Sequence, residues 1–268
     1  MSVFQRKLNS MFFIVLCTIF IFLLKVTAAQ AIAQPKQIDV ASAPWVNGVR
    51  ADGTGLYLDI LRLVYEPLGI EVKNNITDYA HSVSLVKHGD KDAWLGSYLN
   101  EEEGVIYPKW HFDADVVTAV YKKSSNLVWR GTKSLAGKNV GWIKGYNYHK
   151  YFDEKFNIKE FTTRESAIKS LQNGQLDFFL EASNELNNEF IKHPVDPTMF
   201  TSRTLMNLNI FLGFANNERG KLLADLFDMR FATLLESGEI KKLYNKWNWP
   251  MYPYTKFCTY ADTAMINC

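Results

Sequence analysis

Between Gln37 and Trp247, short apolar runs alternate with stretches of helical period. Such alternation restricts a chain to open, mostly parallel sheets flanked by helices, an α/β architecture. Residues 37–41, 70–76, 92–96 and 116–121 carry strand patterns. Leu56, Ile60, Leu63, Val64 and Leu68 share one helical face ahead of Gly69, and residues 79–87 form a shorter helix stopped by Gly89. After the polar run Lys122-Lys123-Ser124-Ser125 a similar series begins. It has strands at 138–143, 158–161 and 176–180, with helices at 146–156 and 164–173. Residues 192–205 are polar, contain Pro194 and Pro197 and show no period; with 121–126 they read as crossings between two lobes. A strand at 209–214 then leads to a long helix, 218–235. Leu222, Leu223, Leu226, Phe227, Phe231, Leu234 and Leu235 make one wide apolar stripe on it. Gly238 stops that helix, and 240–247 adds a short one. Polar crossings of this kind predict two sheets and not one.

The chain carries none of the common catalytic signatures: no H-E-x-x-H, C-x-x-C, G-x-S-x-G, Walker loop or helix-opening G-x-G-x-x-G. The five histidines are scattered, and His81 and His88 read as exposed residues around a helix end. Neither a metal nor a cofactor is expected.

Four stretches carry a resemblance, in order along the chain. They are Asp52-Gly53 with Gly55-Leu56-Tyr57-Leu58-Asp59-Ile60, then Leu135-Ala136-Gly137-Lys138-Asn139-Val140-Gly141 with Gly145. Residues 167–178, with Leu171, Gly174 and Asp177, and residues 239–247 complete the set. Together they resemble the type II periplasmic solute-binding proteins of family 3, the amino-acid-transport kind, over about residues 38 to 250. The resemblance implies two lobes, each an open mostly parallel sheet flanked by helices, joined by a two-strand hinge. Residues 38–121 plus 207–250 would form lobe 1 and 122–206 lobe 2, with 251–268 a C-terminal tail. It further implies a monomer without enzymatic activity, which closes on a small-molecule solute and delivers it to an inner-membrane ABC permease.

Two departures bear on the ligand. Amino-acid binders of the family carry an arginine in the first lobe that grips the α-carboxylate. Here Gly96-Ser97-Tyr98-Leu99-Asn100-Glu101-Glu102-Glu103 stands in its place, acidic where a guanidinium is needed. Residues 101–103 read as a solvated helix start. For the second-lobe aspartate that receives the α-amino group, Glu181 is the nearest substitute.

Ligands of open α/β sheets sit beyond the carboxyl ends of strands. That rule places Trp45, Ser97, Tyr98, Trp142, Tyr146 and Asn147 at the ligand, with Glu181 as a countercharge. Free amides at the start of the expected helix near Tyr146 would hold an anionic or polar group. Aromatics from both lobes would sandwich a flat or cationic solute. The alternatives are a dehydratase-like enzyme on the same scaffold, using Glu181 as its acid or base, and a sensory module presenting its ligand to a membrane receptor.

Arg6 and Lys7, the apolar run from 11 to 24, and Ala28, Ala29, Ala31 and Ala33 follow the pattern of a cleavable signal peptide, residues 1–33, cut after Ala31 or Ala33. Its removal leaves 27 basic against 28 acidic residues and no basic run, so nothing in the charge calls for nucleic acid. Two cysteines remain, Cys258 and Cys268, and in an oxidising compartment they are expected to form a disulfide. The expected location is the periplasm.

Overall fold

A computed structural model describes residues 34–192, 196–249 and 252–254. The leader, Cys258 and Cys268 lie outside the described residues.

In the first half of the fold, β1 (Gln37–Ser42) lies between β2 (Glu71–Ile76) and β3 (Ala93–Tyr98) and is parallel to both. The helices between them are α1 (Leu56–Tyr65) and α2 (Tyr79–Lys87). The first ends as its glycine requires, in a turn of 3-10 helix to Leu68 and then Gly69 at φ 74°. Helix α2 starts on Asp78, whose side chain accepts from the His81 amide at 2.9 Å.

The second half repeats the plan. Strand β6 (Asn139–Ile143) is parallel to β7 (Asn157–Phe161) and to β8 (Phe178–Ala182). Helix α3 (Arg164–Gln172) is capped by Thr163, and α4 (Ser183–Lys192) follows β8 directly.

Two long antiparallel strands join the halves. β5 (Asp113–Lys122) and β9 (Phe200–Ala215) pair from Asp113 opposite Ile210 to Lys122 opposite Phe200. Beyond this pairing β9 continues against β3, and on its other edge β5 pairs with β8 over Val117–Val120. The short strand β4 (Val105–Ile106) also pairs with β9. Hydrogen bonding therefore runs through one sheet in the order β2-β1-β3-β9-β5-β8-β6-β7, where two separate sheets were expected. The cause lies in β9. Residues 201–209 have no buried face, so no apolar alternation marks them as strand.

Helices α5 (Glu218–Glu236) and α6 (Glu239–Lys246) return to cover the first half. Leu223, Phe227 and Phe231 of the expected stripe are wholly buried, each worth roughly 1.5–3 kcal/mol. Tyr65 donates its hydroxyl to the Leu223 carbonyl at 2.9 Å, and Tyr244 donates to Phe112 at 2.5 Å.

One expected helix is absent. Across 146–156 there is a single 3-10 turn, Tyr148–Tyr151, introduced by Gly145 at φ 93° and Asn147 at φ 50°. Two left-handed residues in three positions break helical propagation. No helix among the described residues is long and apolar enough to cross a membrane.

Candidate functional site

Between the carboxyl ends of β1 and β3, the strand β5 and the start of α4 lies a cleft of about 410 Å³, counted out to solvent. Trp45, Tyr57, Tyr79, Tyr98 and Tyr146 supply aromatic walls, while Asp115, Asn184 and Glu185 supply polar groups.

Trp45 follows β1 in a tight turn whose amide and carbonyl both bond Val49 at 3.0 Å. Its indole meets Tyr57 and Tyr79 edge-on, with centroids 6.1 and 6.4 Å away. The ring fits because residue 96 is glycine. Gly96 has φ +94°, and a Cβ there would stand 2.7 Å from the indole.

Carboxylates dominate the polar side. Asp115 on β5 accepts from the Tyr98 hydroxyl at 2.8 Å, and Tyr98 in turn lies 3.2 Å from the Tyr148 hydroxyl. Burial raises Asp115 to about 7 against that hydrogen bond, and the charges of Asp113 and Glu181 add to the rise. Glu185, in the first turn of α4, has one oxygen 3.5 Å from Arg164 and the other, Oε1, buried without a partner. Burial lifts it to about 7 despite the guanidinium.

Arg164 opens α3 and sits behind the cleft wall. Its Nε donates to Glu181 Oε2 at 2.8 Å and its Nη2 to the Tyr146 hydroxyl at 3.0 Å. Desolvation would lower its pKa, but the charge of Glu181 wins and holds it above its ordinary value. Two carboxylates, Glu181 and Glu185, thus share one guanidinium.

Of the residues expected at the ligand, Trp45, Tyr98 and Tyr146 converge on the cleft. The others do not line it. Ser97 is wholly buried below, its hydroxyl donating to Glu101 Oε2 at 3.0 Å. Trp142 is wholly buried in the second half, stacked on His149 with centroids 5.9 Å apart. Asn147 introduces the 3-10 turn. Glu181 is wholly buried against Arg164.

Three of the amides expected to be free near Tyr146 are engaged. Lys144 donates to the Phe161 carbonyl at 2.8 Å, Gly145 to the Glu160 carboxylate at 3.1 Å, and Tyr146 to the Ile143 carbonyl at 3.1 Å. The α-helix whose start was expected to hold an anion is replaced by the 3-10 turn. Glu101, expected at a solvated helix start, is instead wholly buried in a loop after β3.

Sequence reasoning missed Tyr57, Tyr79, Asp115 and Glu185. Asp115 left a signal: Asp113 and Asp115 sit two apart before a β-branched run, where acids are unusual. Glu185 left none, because α4 is polar and lacked a readable period. Among the described residues no cluster of histidine, cysteine and acidic side chains is arranged to hold a metal.

This architecture is the two-lobed fold of the amino-acid substrate-binding proteins, an α/β mixed sheet with helices on its faces. A histidine-bound substrate-binding protein of an ABC uptake transporter from Streptococcus pneumoniae superposes with a TM-score of 0.62 at 19% identity, over 82% of this chain and 95% of that one. By sequence, the chain is similar to an arginine-binding periplasmic protein of Mannheimia haemolytica, 29% identical over 116 residues. That match takes in 41% of this chain and about half, 48%, of the relative's length. A probable amino-acid-binding protein of Bacillus subtilis, YxeM, is 20% identical over 200 residues, 72% of this chain and 75% of its own. No protein-family model matches.

Proposed function

We propose that the chain is an exported, monomeric solute-binding protein of the periplasm that closes around a small cationic solute and hands it to an ABC permease. The observation that carries this reading is the pairing of an aromatic-walled cleft with the carboxylates of Asp115 and Glu185, with no cationic side chain among the lining residues. Aromatic faces and carboxylates both favour a cation, and their attraction grows as the cleft excludes water. The similar proteins named above are substrate-binding proteins, which supports a binding role. In this reading residues 38–121 with 207–250 form one lobe and 122–206 the other, with β5 and β9 bending between them. Export would bring Cys258 and Cys268 into an oxidising compartment, where they pair. The dehydratase-like alternative would need Glu181 open to the cleft, whereas its carboxylate is buried on Arg164.

The test is a thermal-shift panel of small cations, neutral polar solutes and anions, read with tryptophan fluorescence. Cations should raise the melting temperature and change the emission of Trp45. Stabilisation by anions alone, or by none of the panel, would remove the proposal.

A further inference from the structure

A ligand of the amino-acid type brings a carboxylate as well as an ammonium group, and the cleft is equipped for only one of them. Glu185 is more than nine-tenths buried at the cleft wall, and its Oε1 has no hydrogen-bond partner. Leaving a buried acceptor unpaired is costly, and more so for a charged group. Such an atom points to a donor that arrives with the ligand. Asp115, on the joining strand β5, faces the same space.

Among the residues lining the cleft none is cationic, so nothing comparable awaits an anion there. Arg164 is not among the lining residues, and its Nε and Nη2 are engaged by Glu181, Tyr146 and Glu185. Several backbone amides near the cleft are taken as well. At the head of α1, Leu56 and Tyr57 donate to the carbonyls of Asn47 and Gly48 at 2.8 and 3.1 Å. At the head of α4, Ala182 donates to Glu181 Oε1 and Glu185 to Asn184 Oδ1, each at 2.9 Å. These bonds occupy amides at both helix starts that would otherwise be open to an anion.

From this asymmetry we infer that the ligand is an organic cation without a carboxylate, an amine or guanidine whose charged head sits between Glu185 and Asp115. This inference rests on the solute-binding reading above and narrows its ligand class. A carboxylate in the same space would meet like charge with no compensating donor, the arrangement that is most costly out of water. The aromatic walls suit the rest of such a molecule, since Trp45, Tyr57 and Tyr79 offer apolar area and negative ring faces.

Matched pairs that differ only by the carboxylate test this directly. Titration calorimetry on the full exported chain, at pH 8, would compare agmatine with arginine and cadaverine with lysine. The decarboxylated member of each pair should bind at least about tenfold more tightly, about 1.4 kcal/mol. Glu185→Gln and Asp115→Asn should each weaken agmatine by about tenfold, and either variant serves if the other does not fold. Arginine or lysine binding as tightly as its partner would overturn the inference and assign Arg164 to the ligand carboxylate. Silence from all four compounds would overturn it together with the cationic-solute reading. Tight binding of an amino acid would leave the solute-binding role standing, so the two failures are distinct.

Discussion

Glu101 and Glu181 are both wholly buried glutamates, one in each half of the molecule, and their surroundings differ in kind. Glu181 has a guanidinium at 2.8 Å and the Ala182 amide at 2.9 Å. Glu101 has hydroxyls and an amide only. Tyr79 donates to its Oε2 at 2.5 Å, Ser97 at 3.0 Å and the Tyr98 amide at 3.1 Å, while its Oε1 has no partner. Lys150 reaches only the backbone carbonyl of Glu101. Burial pushes Glu101 up to about 8 in spite of those three donors, so at neutral pH it holds its proton. Burial raises Glu181 as well, with the charge of Arg164 opposing it. One half therefore supports its side of the cleft with an ion pair. The other uses a neutral acid that gathers hydroxyls and fixes Tyr79 at the cleft wall.

Breaking the ion pair should have the largest effect. Arg164→Met leaves Glu181 and Glu185 buried without their countercharge, and removing one partner of a buried pair costs about 3 kcal/mol. For a chain of this size that is a fall of about 10 °C in melting temperature. Adding Glu181→Leu should restore most of the loss, since an apolar pair of similar volume replaces an ion pair at little cost. Chemical denaturation of the single and double variants measures both. A double variant as unstable as the single one would show that packing of the Arg164 stem, and not charge pairing, holds this wall.

The opposite wall is tested next, at Gly96, whose carbonyl accepts from the Tyr79 hydroxyl at 3.3 Å. Gly96→Ala imposes a left-handed backbone on alanine and drives a Cβ into the Trp45 ring. Strain and overpacking together should cost about 2 kcal/mol. Because Trp45 must move, cation affinity should fall along with stability, whereas Arg164→Met acts from behind the wall. A stable variant with unchanged tryptophan emission would mean that Trp45 is not held by this contact.

How much of this the sequence disclosed follows from what each segment buries. α1 and α5 were legible because each buries one apolar stripe, and the Gly69 and Gly238 stops were legible for their left-handed backbone. β9 was read only at its buried end, since residues 201–209 present no apolar alternation. α4 was missed because its core contact rests on few apolar residues, Leu186 among them. At the cleft, the rule that ligands sit beyond strand ends located Trp45, Tyr98 and Tyr146. It misplaced Trp142, which stands in the strand itself and faces the core of the second half. Glu181 was legible as an acid and not as half of a pair. Arg164 lies 17 residues away from it in sequence, and only the fold brings them together.

At acid pH the smallest effect, and across the pH range the most discriminating, is expected at Glu101. Glutamine keeps an acceptor for Tyr79, Ser97 and Tyr98 and is neutral, as a protonated glutamate is. Below pH 4.5, where the folded and unfolded chains both hold the proton, Glu101→Gln should therefore change stability by under about 1 kcal/mol. The sign of its pH dependence follows from the raised pKa. The folded state keeps a proton up to about 8, while the unfolded chain releases it near the ordinary value of 4.5. Glu101 thus favours the folded state fully below pH 4.5, and that contribution is lost as pH rises toward 8. Asp113, Asp115, Glu185 and His111 titrate in the wild type and in the variant alike, so the difference between the two isolates Glu101. Denaturation series from pH 5 to pH 8 should show the variant gaining on the wild type at every step. A constant difference across that range would mean that Glu101 is ionised throughout, its charge answered by Tyr79, Ser97 and the Tyr98 amide alone, and the two buried glutamates would then differ only in the identity of their donors.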